Sequence, residues 1–125
     1  MESDLPSVVS PEELLTLPEQ SSEDQQAAQS SSPWLLVARN RRVNRSWEKL
    51  ILKAPENTQR CYKHLCNSPT TRIPGRVFPL RGNLYKGAWE YEVTGGDRVF
   101  YIPDSENRKV EVYYAGPHIK PAPSP

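Results

Sequence analysis

Residues 79–101 read PLRGNLYKGAWEYEVTGGDRVFY, and the fold turns on this stretch. Trp89, Tyr91 and Val93 alternate with Glu90 and Glu92, the period-2 pattern of a strand with two unlike faces. Thr94-Gly95-Gly96-Asp97 follows, and its glycines are expected to supply the positive φ of a tight hairpin. Arg98-Val99-Phe100-Tyr101-Ile102 then returns as a second strand, expected to stop at Pro103.

The residues after the hairpin continue the sheet. Asp104 to Asn107 makes a turn, and Lys109-Val110-Glu111-Val112-Tyr113-Tyr114-Ala115 alternates again as a further strand. Gly116-Pro117 ends that strand, and the prolines of 121–125 make the last residues a Pro-rich extended tail. Before the hairpin, Arg76-Val77-Phe78-Pro79-Leu80 is a strand whose proline suggests an edge or a bulge. Gly82 to Gly87 is a loop.

Two helices precede these strands. Asn40 is placed to cap a helix over 41–54, whose Val43, Trp47, Leu50 and Ala54 form a core-facing stripe. Pro55 breaks it and suits the first turn of a second helix over about 55–66, with Cys61, Tyr62 and Leu65 inward. Trp34 to Ala38 is a short apolar run that fits a buried first strand. The order β-α-α-β-β-β-β predicts an α+β fold, an antiparallel sheet of four to five strands with a helical hairpin on one face.

Charge divides the chain. Residues 1–33 carry seven acids and no base, while 34–125 carry eight acids and all sixteen bases, a net of +8. A basic domain points to an anionic partner, nucleic acid first. Residues 1–33, rich in Ser, Gln, Glu and Pro, are expected to be a mostly disordered acidic tail, with one short helix capped at Ser10. That tail is either a floppy extension or a cover lying over the basic face in cis. No apolar run approaches the ~20 residues of a membrane span. With no basic segment before an apolar stretch at the N-terminus, no secretory signal is expected. Cys61 and Cys66 are taken as reduced thiols, in keeping with a cytoplasmic protein.

Several residues carry possible chemistry. Arg98 shares parity with Phe100 and so lies on the open face of the sheet, where its fork of donors suits a phosphate or pairs with Glu90 or Glu92 across the hairpin. His118, just past the last strand, is either an exposed tail histidine or a proton donor or acceptor of the kind RNA transesterification requires. Arg76, Arg81, Lys86 and Lys120 supply a basic rim, joined by the arginines of the first helix. Tyr91, with Tyr85, Trp89, Tyr113 and Tyr114, either stacks bases or belongs to the core. Cys61, His64 and Cys66 lack the ligand number and spacing of a metal site, and no phosphate- or dinucleotide-binding loop is present, so neither metal nor cofactor is expected.

The run from a helical hairpin through Leu80-Arg81-Gly82-Asn83-Leu84, Trp89 and Gly96-Asp97-Arg98-Val99-Phe100-Tyr101 to Gly116-Pro117-His118 resembles the RelE/ParE superfamily of bacterial type II toxin–antitoxin toxins, nearest the Txe/YoeB or RelE branch. The resemblance covers roughly 34–120. It implies a ribosome-dependent mRNA endonuclease of the bacterial cytoplasm or, in the ParE branch, a non-nucleolytic inhibitor of DNA gyrase. A degenerate toxin acting only by binding its antitoxin is a further form of that alternative. The partner implied is a cognate antitoxin, together with mRNA on the ribosome, or gyrase. The nuclease pattern implies Arg98 at the scissile phosphate and His118 as acid or transition-state stabiliser. Phe78 stands where the YoeB-like branch has a glutamate base, and Trp89 and Tyr91 stand where RelE-like lysines act.

Overall fold

The computed structural model describes residues 33–125, so the acidic tail, the helix at Ser10 and the cis cover lie outside the described residues. Strand β1 (Leu35–Ala38) leads to α1 (Arg41–Lys53) and α2 (Pro55–Asn67), then β2 (Val77–Pro79), a 3-10 turn (Asn83–Tyr85), β3 (Trp89–Thr94), β4 (Asp97–Asp104) and β5 (Lys109–Pro117). The sheet order is β1-β5-β4-β3-β2. Four strands pair antiparallel as the sequence predicts, but β1 runs parallel to β5, so the sheet is mixed. The helical hairpin lies between β1 and the remaining strands in sequence, which gives the chain length to return beside β1 in the same direction.

The helices form where their caps and stripes dictate. The Asn40 side chain accepts from the Val43 amide at 3.0 Å, closing the first turn of α1. Ala54 ends α1 and begins α2: its amide donates to Leu50 O and its carbonyl accepts from Thr58. Thr58 Oγ1 donates back to Leu50 O at 3.1 Å in the buried seam between the helices. Val43, Trp47 and Leu50 of α1 and Cys61 and Leu65 of α2 then pack on Leu36, Val93, Val99, Tyr101, Val110 and Val112 of the sheet. Each such fully buried apolar side chain contributes about 1.5–3 kcal/mol, which makes this layer the main source of stability.

Two expectations about the strands change. Gly95 and Gly96 do not take positive φ. Side chains close that turn instead: Thr94 Oγ1 donates to Asp97 Oδ2 at 2.8 Å and accepts from the Gly96 amide at 3.1 Å. Strand β4 also continues through Pro103, which pairs with Val110 of β5. It lies beyond Trp89↔Tyr101, the last β3–β4 pair, where the missing N–H breaks no ladder bond. Pro79 sits in β2, an edge strand as its proline suggests.

The sheet face away from the helices carries a second, smaller apolar cluster. Phe100 and Tyr113 are buried there with Ala88, and Leu80, Tyr85, Ile102, Tyr114 and Ala122 pack around them. A bulge in β5 builds it: Phe100 pairs with Tyr114 while Tyr101 pairs with Val112, leaving Tyr113 as the extra residue. Two consecutive tyrosines therefore face the same side. The Pro-rich segment 121–125, expected as an extended tail, folds back onto them. Tyr85 Oη donates to Ala122 O at 2.9 Å and Tyr113 Oη to Pro123 O at 2.8 Å.

Candidate functional site

The open face of β3–β4–β5 gathers the polar side chains singled out in the sequence. Arg98 lies on it, as its parity with Phe100 predicts, but its guanidinium is occupied. Nε donates to Glu90 Oε2 at 3.0 Å, and both side chains are about nine-tenths buried. Nη1 donates to the carbonyls of Thr94, Gly95 and Asp97 at 2.8, 3.3 and 3.1 Å. Nη2 stands 3.9 Å from Glu92 Oε1, so among the described residues this nitrogen alone faces no oxygen at hydrogen-bond distance. Of the two readings of Arg98, the structure displays the cross-hairpin pair with Glu90. The same contacts lock the guanidinium in one orientation at the turn.

His118 is exposed at the same end of the sheet. Gly116 pairs with Arg98 and Pro117 with Asp97, and the His118 amide donates to Gly96 O at 2.9 Å. The β4–β5 ladder thus holds the backbone of His118 two register positions past the partner of Arg98. Gly116 has φ +149°, and a Cβ there would meet the Tyr114 hydroxyl at 3.5 Å. That conformation suits glycine and leaves room for Tyr114 Oη to donate to Pro117 O, just before His118.

The remaining expected RNA-contacting residues divide. Arg81, Lys86 and Lys120 are exposed, the first two flanking the 3-10 turn and the third just before the docked tail. Arg76 is half-buried, its backbone carbonyl accepting from the Glu92 amide at 2.8 Å. Tyr91, expected at the same surface, is 2% exposed and lies in the helix-side core, its ring 5.5 Å from that of His64. Period 2 puts Tyr91 on the face of Val93, which here is the helix face, so it is not placed to stack a base. Burial, with the buried Cys61 thiol nearby, pushes its hydroxyl up to about 12.

Other features had no clear counterpart in the sequence reading. Asp97, 3% exposed at its side chain, receives Lys53 Nζ at 3.1 Å and so ties the end of α1 to the hairpin turn. Beside that pair a groove of about 350 Å³ runs between Lys49 and Lys53 of α1 and Ala115-Gly116-Pro117 of β5. Arg39 donates to Glu111 at 2.8 Å, and its guanidinium lies 5.3 Å from the centre of the Tyr113 ring. The signal for the bulge was present in Tyr113-Tyr114, two aromatics in succession where strict alternation allows one inward.

Among the described residues there is no group of three or more His, Cys, Asp or Glu side chains placed to hold a metal ion. Likewise no described helix is long and apolar enough to cross a membrane. Cys61 and Cys66 are free and buried, and desolvation raises both thiols, Cys66 to about 11. Chemically, the open end of the sheet offers a held guanidinium, an imidazole in solvent and a fringe of lysine and arginine.

A five-stranded mixed sheet in the order β1-β5-β4-β3-β2, backed by a helical hairpin inserted after its first strand, is the RelE/ParE-like toxin fold. The chain is similar to the YoeB/ParE toxin from Agrobacterium tumefaciens, with 21% identity, a TM-score of 0.53, and coverage of 67% of this chain and 98% of that one. It is also similar to a chain of the heterotetrameric YoeB–YefM toxin–antitoxin complex from Staphylococcus aureus, at 11% identity, TM-score 0.53, and coverage of 69% and 98%. At these identities the likeness is one of fold. No protein-family model and no curated protein matches the sequence.

Proposed function

We propose that the chain is the toxin of a type II toxin–antitoxin pair, a ribosome-dependent mRNA endonuclease that blocks translation until a cognate antitoxin binds it. The observation that carries this reading is the juxtaposition of Arg98 and His118 at one end of the β4–β5 ladder, on the fold of the YoeB/ParE toxins. In this reading RNA lies against the open face, with Arg81, Lys86, Lys120 and Arg76 along its phosphates. Arg98 stabilises charge on the scissile phosphate through Nη2, which stands 3.9 Å from Glu92 Oε1. His118 moves the proton between the 2′-hydroxyl and the leaving 5′-oxygen. The excess of eight bases over residues 34–125 supports an anionic partner.

A second reading is favoured by one observation, the closed shell around Arg98. An arginine held by a carboxylate and three carbonyls is neutralised and oriented as a structural group would be. With Phe78 and Trp89 at positions where the nucleases carry a base or a lysine, the chain would act by protein binding, on gyrase or on its antitoxin alone.

Expression in a bacterium without the antitoxin, followed by primer extension on cellular mRNA, separates the two. Growth arrest with discrete new 5′ ends supports the endonuclease. Growth arrest with intact mRNA and DNA damage rejects it for the gyrase reading, and unhindered growth with intact mRNA leaves antitoxin binding alone.

A further inference from the structure

The C-terminal segment occupies the face on which RNA would lie. Two tyrosines from two places in the chain hold it. Tyr85 comes from the 3-10 turn and Tyr113 from the β5 bulge. Their hydroxyls donate to the carbonyls of Ala122 and Pro123 respectively. A hydroxyl has one hydrogen to give, so each tyrosine is committed to the segment. The chemistry of the two partners matches: prolines at 121, 123 and 125 offer carbonyls and no N–H, an acceptor-rich segment for a pair of donors. Ala122 packs into the aromatic cluster around Phe100, and Ala122 and Pro123 are half-buried although they stand within four residues of the last position.

With Tyr114, whose hydroxyl donates to Pro117 O of β5, the same rings are the aromatic surface on this side of the sheet among the described residues, since Tyr91 and Trp89 pack with the helix-side core. Single-stranded RNA binds such surfaces by stacking its bases on exposed rings. Ring faces under Ala122 and hydroxyls bonded to the tail are not open to it. We propose that residues 121–125 are a cis-acting cover on the open face, a built-in competitor that RNA must displace before it reaches Arg98 and His118. This rests on the endonuclease reading above and adds its regulation. The mass-action consequence is direct: if the face is open one-tenth of the time, apparent affinity falls about tenfold.

The test compares three forms on ribosomes programmed with a defined mRNA, scored by primer extension below saturation. They are the full chain, a chain ending at Lys120, and the Tyr85→Phe/Tyr113→Phe variant, which keeps both rings and removes two donors. Circular dichroism and urea unfolding establish which forms are folded, and the double variant stands in if the shortened chain is not. The expected result is cutting about tenfold faster by the folded uncovered forms than by the full chain. Equal or slower cutting by them overturns the cover and leaves the endonuclease reading intact. No cutting by any folded form overturns the endonuclease reading, and the cover falls with it.

Discussion

Arg98 donates from Nε to Glu90 Oε2 at 3.0 Å across the β3–β4 hairpin, and neither side chain is more than 11% exposed. Glu90 pairs in register with Phe100, so the bond is a diagonal one, reaching past the direct partner Glu92. A buried cation held by one carboxylate and three carbonyls is costly to disturb. Glu90→Ala is expected to destabilise the fold by about 3 kcal/mol, because it leaves Arg98 buried without its counter-charge. Urea unfolding measures this. A loss under about 1 kcal/mol would show that the pair behaves like an exposed one. Removing both charges together, as Glu90→Gln with Arg98→Met, is expected to recover most of the loss.

Tyr101 is fully buried and donates from its hydroxyl to Pro69 O at 2.7 Å, fastening the segment after α2 to the centre of the sheet. Tyr101→Phe keeps the ring and strands that carbonyl, so a loss of about 1–2 kcal/mol in unfolding free energy is expected. Thermal unfolding followed by circular dichroism checks it, with the wild-type transition as reference.

The thiols make a sharp contrast between folded and unfolded chain. Burial disfavours the thiolate at Cys61 and raises Cys66 to about 11. Neither is expected to react with a disulfide reagent at mildly alkaline pH in the native protein, and both are expected to react at once in denaturant. Rapid titration of even one thiol in the folded protein would contradict the packing of α2 on the sheet.

Alkaline pH tests the tyrosines. Burial holds Tyr91 and Tyr113 at about 12, above the ordinary value of 10.0. The folded state therefore keeps its phenol protons where the unfolded chain releases them. The resulting stability is fully present below pH 10 and is lost as pH rises toward about 12. Denaturation midpoints across that window are expected to fall, and Tyr91→Phe is expected to flatten part of the fall.

Much of this architecture was legible in the sequence because it rests on local rules. Asn40 caps α1, Pro55 starts α2, and the alternation of Trp89 to Val93 gives a strand with two unlike faces. What escaped was non-local. Nothing in Leu35–Ala38 distinguishes a parallel neighbour from an antiparallel one, since an apolar run of four has no direction. The glycines at 95 and 96 suggested positive φ, whereas Thr94 and Asp97 close the turn with side chains. The site was half legible. Parity placed Arg98 on the open face but left phosphate and Glu90 as equal partners, because charge complementarity works for both. Tyr91 was ambiguous until the helices showed which face they cover. The docking of 121–125 carried no periodic signal at all, since proline segments pack through carbonyls that any residue possesses.

If His118 and Arg98 form a working nuclease site, removing the imidazole must slow RNA cutting. Purified wild-type chain and His118→Ala are each incubated with ribosomes translating a defined mRNA, and primer extension maps the 5′ ends. His118 is exposed and its ring has no partner among the described residues, so the variant is expected to remain folded. Discrete cuts are expected from the wild type and at least a hundredfold slower cutting from His118→Ala, the scale of a lost general acid or base. Equal cutting by the two proteins, or intact mRNA with the wild type, would contradict such a site.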